Sequence, residues 1–260
     1  MKSGIILTKR NVIVIIGTIV FLIMNLAAVE QRGREHAKRT VCLANLKQLT
    51  AACNVFADEN EGRLPLPGTT GAWLEDVAIN TVHSMLDTGI TRKMFYCPSN
   101  TAHQKYNDLF WMFNNDTWDG ERFTRESGFV VSGYCFILET MYGRRQDITA
   151  YENDTEEKIW LRTNQESSPA TRELCVDTIM GMPRSNTKYG YEFGQIPGGL
   201  WAQGAVFDRT NHLITNEEPA GGNIGFLDGH GQWREFNPDL DNSGKAIPRW
   251  QGQNSPAFFW

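Results

Sequence analysis

The sequence predicts an α+β fold, with a long amino-terminal helix packed on a globular domain built around antiparallel β-sheet. Three observations carry this expectation. Residues 11–62 keep a helical character throughout, first uniformly apolar and then amphipathic. Runs at 128–139 and 172–180 are rich in β-branched and aromatic residues, as strands are. An Asp-Gly pair at 228–229 separates two alternating segments, a strong short-range hairpin signal. Helices first and antiparallel strands afterwards are the order expected of an α+β arrangement.

The first element opens with nineteen residues, 11–29, that carry no charge: "NVIVIIGTIVFLIMNLAAV". A membrane-crossing helix needs about 20 mainly apolar residues, because each adds about 1.5 Å across a hydrocarbon core about 30 Å thick. The spacing therefore predicts a transmembrane anchor over 11–29, with the lipid bilayer as its partner and residues 1–10 as a short terminus before it. The competing reading is a cleaved secretory signal peptide, whose apolar region usually runs to about 7–15 residues. "LAA" at 26–28 is an imperfect cleavage site for that reading, since Leu stands where a small residue is preferred.

Beyond the anchor the period continues. Leu43, Leu46, Leu49, Cys53 and Phe56 recur at three- and four-residue intervals and share one stripe. Asn45, Lys47, Gln48, Asn54 and Asp58 lie between them. Gly62 can serve as a left-handed cap, and Pro65 and Pro67 prevent continuation. Residues 30–62 thus form an amphipathic continuation of the anchor, needing no linker, and 63–260 form the globular head.

Within the head, "GAWLEDVAINTVHSMLDTG" (71–89) predicts a second helix, with Trp73, Leu74, Val77, Val82, Met85 and Leu86 on its apolar face and Gly89 at its stop. Residues 100–130 read as a polar and aromatic insertion loop with a short helical piece. Residues 141–171 read as mostly polar, with room for a short helix. In the hairpin "NIGFL"–Asp228-Gly229–"HGQWREF", Ile224, Phe226 and Trp233 are the core-facing candidates. The tail is irregular but aromatic, and Phe258, Phe259 and Trp260 are expected to pack.

Charge narrows the partners. The chain carries a net −5, and its one basic cluster is Arg32, Arg34, Lys38 and Arg39, just past the apolar run. Nucleic acid is not expected, since phosphate recognition relies on clustered Lys and Arg. A role at the membrane surface suits this cluster better. The five cysteines are scattered without a CxxC, which leaves a zinc or thioredoxin-type reading nothing local to rest on. An oxidising compartment would permit one bridge, and Cys42 with Cys97 is the expected pair.

Candidate chemistry is weak in every case. Asp228, His230 and His212 can be read as a hydrolytic or metal constellation, but Asp228 already has a turn to build. Asp239, Asp241, Ser243 and Gly244 match the first half of a calcium loop, yet Trp250 stands where the bidentate Glu belongs. Trp73, Trp111, Trp118 and Trp201 can be read as a carbohydrate-stacking surface or as core. The expectation is that no residue is catalytic, cofactor-binding or metal-ligating, and no cofactor is implied.

Four stretches together resemble the pilin-like proteins of bacterial type IV pili and type II secretion systems, and in particular a group of prepilin-type proteins. They are "REHAKRTVCLANLKQL" (34–49), "FADENEGRLP" (56–65), "KMFYCPSN" (93–100) and "PAGGNIGFLDGHGQWREF" (219–236). The resemblance implies a pilin-like fold, a single-pass inner-membrane location, residues 1–10 in the cytoplasm and a head facing the periplasm. Counting Lys and Arg alone gives the opposite orientation. It also implies a non-catalytic role among other pilin-like subunits or secretion machinery. Two departures stand out. The fifth residue after Gly4 is Lys9, where an intact processing site has Glu. The position ten before Asp228 is Glu218, where the group has His, and the nearest His is His212. The alternative reading is an exported enzyme or carbohydrate-binding domain that borrows the anchor for tethering.

Overall fold

Helix α1 (Lys9–Glu59) is followed by a head that mixes short helices with antiparallel sheets, so the α+β class holds. The computed structural model describes residues 8–65, 73–113, 118–124, 128–139, 160–197, 207–251 and 256–260, without the side chains of 25–32. Trp201 and most of the expected polar stretch 141–171 lie outside the described residues. The chain divides into two units, 1–38 and 39–260.

In the first unit, Val12 to Ile16 and Ile19 to Met24 are helical and expose between 40% and 70% of their surface. Among the described residues no helix is long and apolar enough to cross a membrane. The apolar run expected to span the bilayer extends through Val29, and its last side chains lie outside the described residues.

In the second unit, α1 buries Cys42, Leu46, Leu49, Ala52, Cys53 and Ala57. The stripe expected from the sequence is therefore rotated slightly, and Leu43 and Phe56 are only half-buried. The reason is backbone proximity. A Cβ on Gly225 would sit 2.6 Å from Thr50 Oγ1, so a strand passes directly over the small-residue side of the helix. The expected stop is present: the Gly62 N–H donates to Ala57 O at 2.7 Å with Gly62 at φ +82°.

The predicted helix 71–89 is shorter than expected. Asp76–Ala78 form strand β1, and helix α2 starts only at Ile79 and ends at Asp87. Pairing explains this. Asp76, Val77 and Ala78 lie opposite Val131, Val130 and Phe129 of β2 (Phe129–Val131), and the ladder outweighs a helical pattern that fits the same residues. A 3₁₀ turn at Arg92–Phe95 leads to Cys97. Helices α3 (Thr101–Lys105) and α4 (Asn107–Trp111) replace much of the expected insertion loop. Their aromatic residues form core: Trp111 is fully buried and meets Phe95, Trp118 and Phe123 at 5.3–5.4 Å between ring centroids.

Both predicted strand runs are interrupted. The first becomes β2 and β3 (Tyr134–Phe136), parted at Ser132-Gly133. The second becomes β4 (Glu173–Asp177) and β5 (Ile179–Pro183), parted at Thr178. That break sends the chain from one sheet into another. Short strands β6 (Tyr191–Glu192), β7 (Ile196–Pro197), β8 (Phe207–Asp208), β9 (Leu213–Thr215) and β10 (Glu218–Pro219) follow. The hairpin is as expected: β11 (Gly221–Phe226) and β12 (Gly231–Glu235) pair antiparallel, with Gly229 at φ +88° in the turn. Ile224 and Phe226 are buried, and Trp233 is half-buried.

The tail is strand rather than irregular. In it β13 (Trp250–Gln251) pairs with β14 (Ala257–Phe259), burying Phe258 and Phe259. The two larger sheets have the orders β12-β11-β4-β3 and β13-β14-β5-β6, with all neighbours antiparallel.

Candidate functional site

The break between β4 and β5 leaves Asp177 at the end of a buried strand, 1% exposed. Three other segments bring reactive side chains to it. Cys42 comes from α1, Cys97 from the loop after the 3₁₀ turn, and His212 from the β8–β9 connection, where it adopts φ +49°. The ligand atoms of these four buried residues all lie within 4.8 Å of one another.

Cys42 Sγ is 2.9 Å from Asp177 Oδ1 and 3.2 Å from Cys97 Sγ. Cys97 Sγ is 3.3 Å from His212 Nε2, which lies 3.4 Å from Asp177 Oδ2.

A second layer holds these groups in place. Asn211 Nδ2 donates to Asp177 Oδ1 at 2.9 Å. Asn223 donates to Oδ2 through both its backbone N–H and its side-chain amide. The Tyr134 hydroxyl meets Cys42 Sγ at 3.3 Å, and the Ser99 N–H donates to Cys97 Sγ at 3.4 Å. Asn45, one turn on from Cys42, donates to Tyr96 O and Tyr134 Oη. Trp233 meets the His212 ring edge-on at 5.2 Å, and the Arg39 guanidinium lies over Trp233 at 3.9 Å. Arg39, expected at the membrane surface, is thus engaged within the head.

Burial sets the electrostatics. It pushes the Cys42 thiol well up, reinforced by the hydrogen bond to Cys97 and the negative charge of Asp177. Burial opposes ionisation of Cys97 too, but the Cys42 thiol and His212 outweigh it and bring Cys97 below its ordinary value. For Asp177, burial is again overcome, here by His212, Cys42 and the Asn223 N–H, so the carboxyl lies below the usual carboxylate range.

The cluster is not arranged as a nucleophilic triad. Cys97 and Asp177 both face the same ring nitrogen of His212, Nε2, whereas a triad needs the carboxylate on the other nitrogen. All four side chains are also sealed from solvent. Two chemistries remain for this arrangement: a bond between the two sulfurs, or coordination of a cation by all four groups.

The other candidates resolve into structural roles. Asp228 Oδ1 accepts from the His230 N–H at 3.0 Å and meets its Nδ1 at 2.6 Å, and the His230 ring stacks on Phe226. His212 lies in the buried cluster, so the three do not form one site. Asp241 Oδ1 accepts from Ser243 N, Ser243 Oγ and Lys245 N, which builds a turn. Trp111 belongs to one core cluster, with Trp118 against it, while Trp73 packs on another, so these three share no stacking face.

A groove of about 530 Å³ runs between β12 and the tail. The two arginines that line it, Arg234 and Arg249, bind Glu173 at 2.7 and 2.8 Å.

The expectation of no metal ligands rested on the lack of a local cysteine motif. The fold nevertheless gathers four residues able to ligate, from positions 42, 97, 177 and 212. Neither Asp177 nor Asn223 is among the residues the sequence singles out. The available signal was a lone carboxylate inside "ELCVDTIM", a run otherwise fit for burial. No family model, curated protein or solved structure matches the chain.

Proposed function

We propose that the chain is a non-enzymatic, membrane-anchored protein of pilin-like type, related to the subunits of type II secretion or type IV pilus-like assemblies. Its amino-terminal apolar run holds it in the inner membrane, and its α+β head works in the periplasm. One observation carries this reading. The side chains Val12–Ile16 and Ile19–Met24 form an apolar helix exposed on all sides, whereas Cys42–Ala57 of the same helix are amphipathic and buried on one side only. Eleven large apolar side chains left in water would be costly, at about 1.5–3 kcal/mol each relative to burial. Lipid, or lipid together with like helices, removes that cost.

The motifs of the resemblance support the reading by their use. Cys42, Asn45, Leu46 and Leu49 dock α1 to the head, and the Gly-Gly-Asn hairpin covers it.

Carbonate extraction of membranes from cells expressing the full chain tests the proposal. The wild-type chain should stay in the pellet, and Ile16→Asp with Val20→Asp should release it. A wild-type chain found in the supernatant would refute the anchor. Cysteines placed at Val14 and Phe21 then separate assembly from mere tethering, since cross-linked ladders are expected of a subunit and monomers of a tethered domain.

A further inference from the structure

We propose that Cys42, Cys97, Asp177 and His212 form a four-coordinate site for a divalent, thiolate-accepting metal ion, and that zinc is the ion this donor set fits. The argument begins with protons. The single S–H proton of Cys42 faces two acceptors, Cys97 Sγ at 3.2 Å and Asp177 Oδ1 at 2.9 Å. His212 Nε2, which holds at most one proton, faces Cys97 Sγ at 3.3 Å and Asp177 Oδ2 at 3.4 Å. With the Cys97 S–H counted as well, at most three hydrogens serve these four contacts, so four lone-pair donors converge on one point without a hydrogen for every contact. A cation at that point satisfies all four at once.

The donor set is specific. Two sulfurs, one imidazole and one carboxylate suit a tetrahedral d¹⁰ ion far better than calcium or magnesium, which take oxygen ligands. Zinc–sulfur bonds of about 2.3 Å imply sulfurs about 3.8 Å apart in a tetrahedron. The observed 3.2 Å requires the sulfurs to part by about 0.6 Å.

The surroundings are those of a metal site. Ligating carboxylates are held by outer hydrogen bonds, as Asn211 and Asn223 hold Asp177. The Ser99 N–H and the Tyr134 hydroxyl are placed to donate to the two sulfurs. The groove beside β12 counts Asp177 and Asn223 in its lining, which brings solvent near the site. On binding, the Cys42 and Cys97 thiols give up their protons to solvent, while Asp177 and neutral His212 contribute lone pairs.

The ion would tie the start of the head's helix to the Cys97 loop, to β4 and to the β8–β9 connection. This inference does not depend on the membrane anchor, because the cluster lies wholly within residues 42–212.

The test uses the full chain extracted in detergent, without added reductant or chelator. Elemental analysis should find about one zinc per chain, and its binding should release about two protons. Cobalt(II) in its place should give the strong visible bands of tetrahedral thiolate coordination. Cys42 and Cys97 should react with an alkylating agent only after chelation. Cys97→Ser and Cys42→Ser should each lose the metal while keeping the far-UV spectrum of a folded chain. Cys175→Ser, which alters a buried thiol outside the cluster, should keep it. A zinc-free wild-type chain with Cys42 and Cys97 joined as a disulfide would overturn the proposal. Zinc retained by the Cys42→Ser/Cys97→Ser double variant would overturn it equally.

Discussion

Asn223 donates twice to one oxygen of Asp177, through its backbone N–H at 2.7 Å and its side-chain amide at 2.9 Å. The same amide reaches Arg39 O at 3.3 Å, so one side chain ties the hairpin, β4 and the head's helix together. A buried carboxylate that loses a donor pays most of the desolvation cost of its charge. Asn223→Ala should therefore destabilise the head by about 1.5–3 kcal/mol, the range for hydrogen bonds to charged groups. Asn223→Asp should cost more, because it sets a second carboxylate against the first. Urea unfolding followed by tryptophan fluorescence measures both.

Gly225 gives a second outcome, one that depends on close approach rather than on backbone conformation. Its missing Cβ would lie 2.6 Å from Thr50 Oγ1 and 3.3 Å from Cys175 O. Gly225→Ala should destabilise by about 1–3 kcal/mol through overpacking. Adding Thr50→Ala removes the closer atom and should recover part of that loss. A strictly additive double mutant would show that the helix and β11 do not meet in this way.

These two contacts show where the sequence was informative. The periodicity of 42–57 and the Asp228-Gly229 turn are local signals, and both produced the expected element. The second helix is shorter than its pattern because Asp76–Ala78 satisfy a helical period yet pair with β2, a contact about fifty residues away that no local rule contains. The cluster was illegible for the same reason. Its four members are far apart in the chain, and only the break at Thr178 brings Asp177 to Cys42. The sequence expects a bridge between Cys42 and Cys97; the structure places the two sulfurs 3.2 Å apart as free thiols, so the neighbours are right and the bond is absent.

Buried thiols make stability fall at high pH. Burial pushes Cys53 from its ordinary value of 9.0 up to about 12. The folded chain therefore keeps a proton that the unfolded chain loses across this interval. Stability from this group is complete below pH 9, declines as pH rises, and is fully lost near 12. The slope should be about 1.4 kcal/mol per pH unit for each such group. Denaturant midpoints measured between pH 8 and pH 11 should show the decline, and Cys53→Ala should make it shallower by one group's share.

The buried His103–Asp208 pair, 3.0 Å apart, is tied through Asn100 to Asn211 and so to Asp177. Asn100 Oδ1 also accepts from Ala102 N and His103 N and so caps α3. Asn100→Ala should cost about 1–3 kcal/mol by leaving buried partners unmatched. It should also weaken retention of a metal at the neighbouring cluster, while Asn60→Ala, in the exposed turn just after α1, should do neither.

Intact-mass measurement of the chain recovered from washed membranes tests the central claim most directly. The account predicts a membrane-bound form whose mass includes residues 11–29, with the head attached. A soluble form beginning near Val29, with no full-length chain in the membrane, would contradict it.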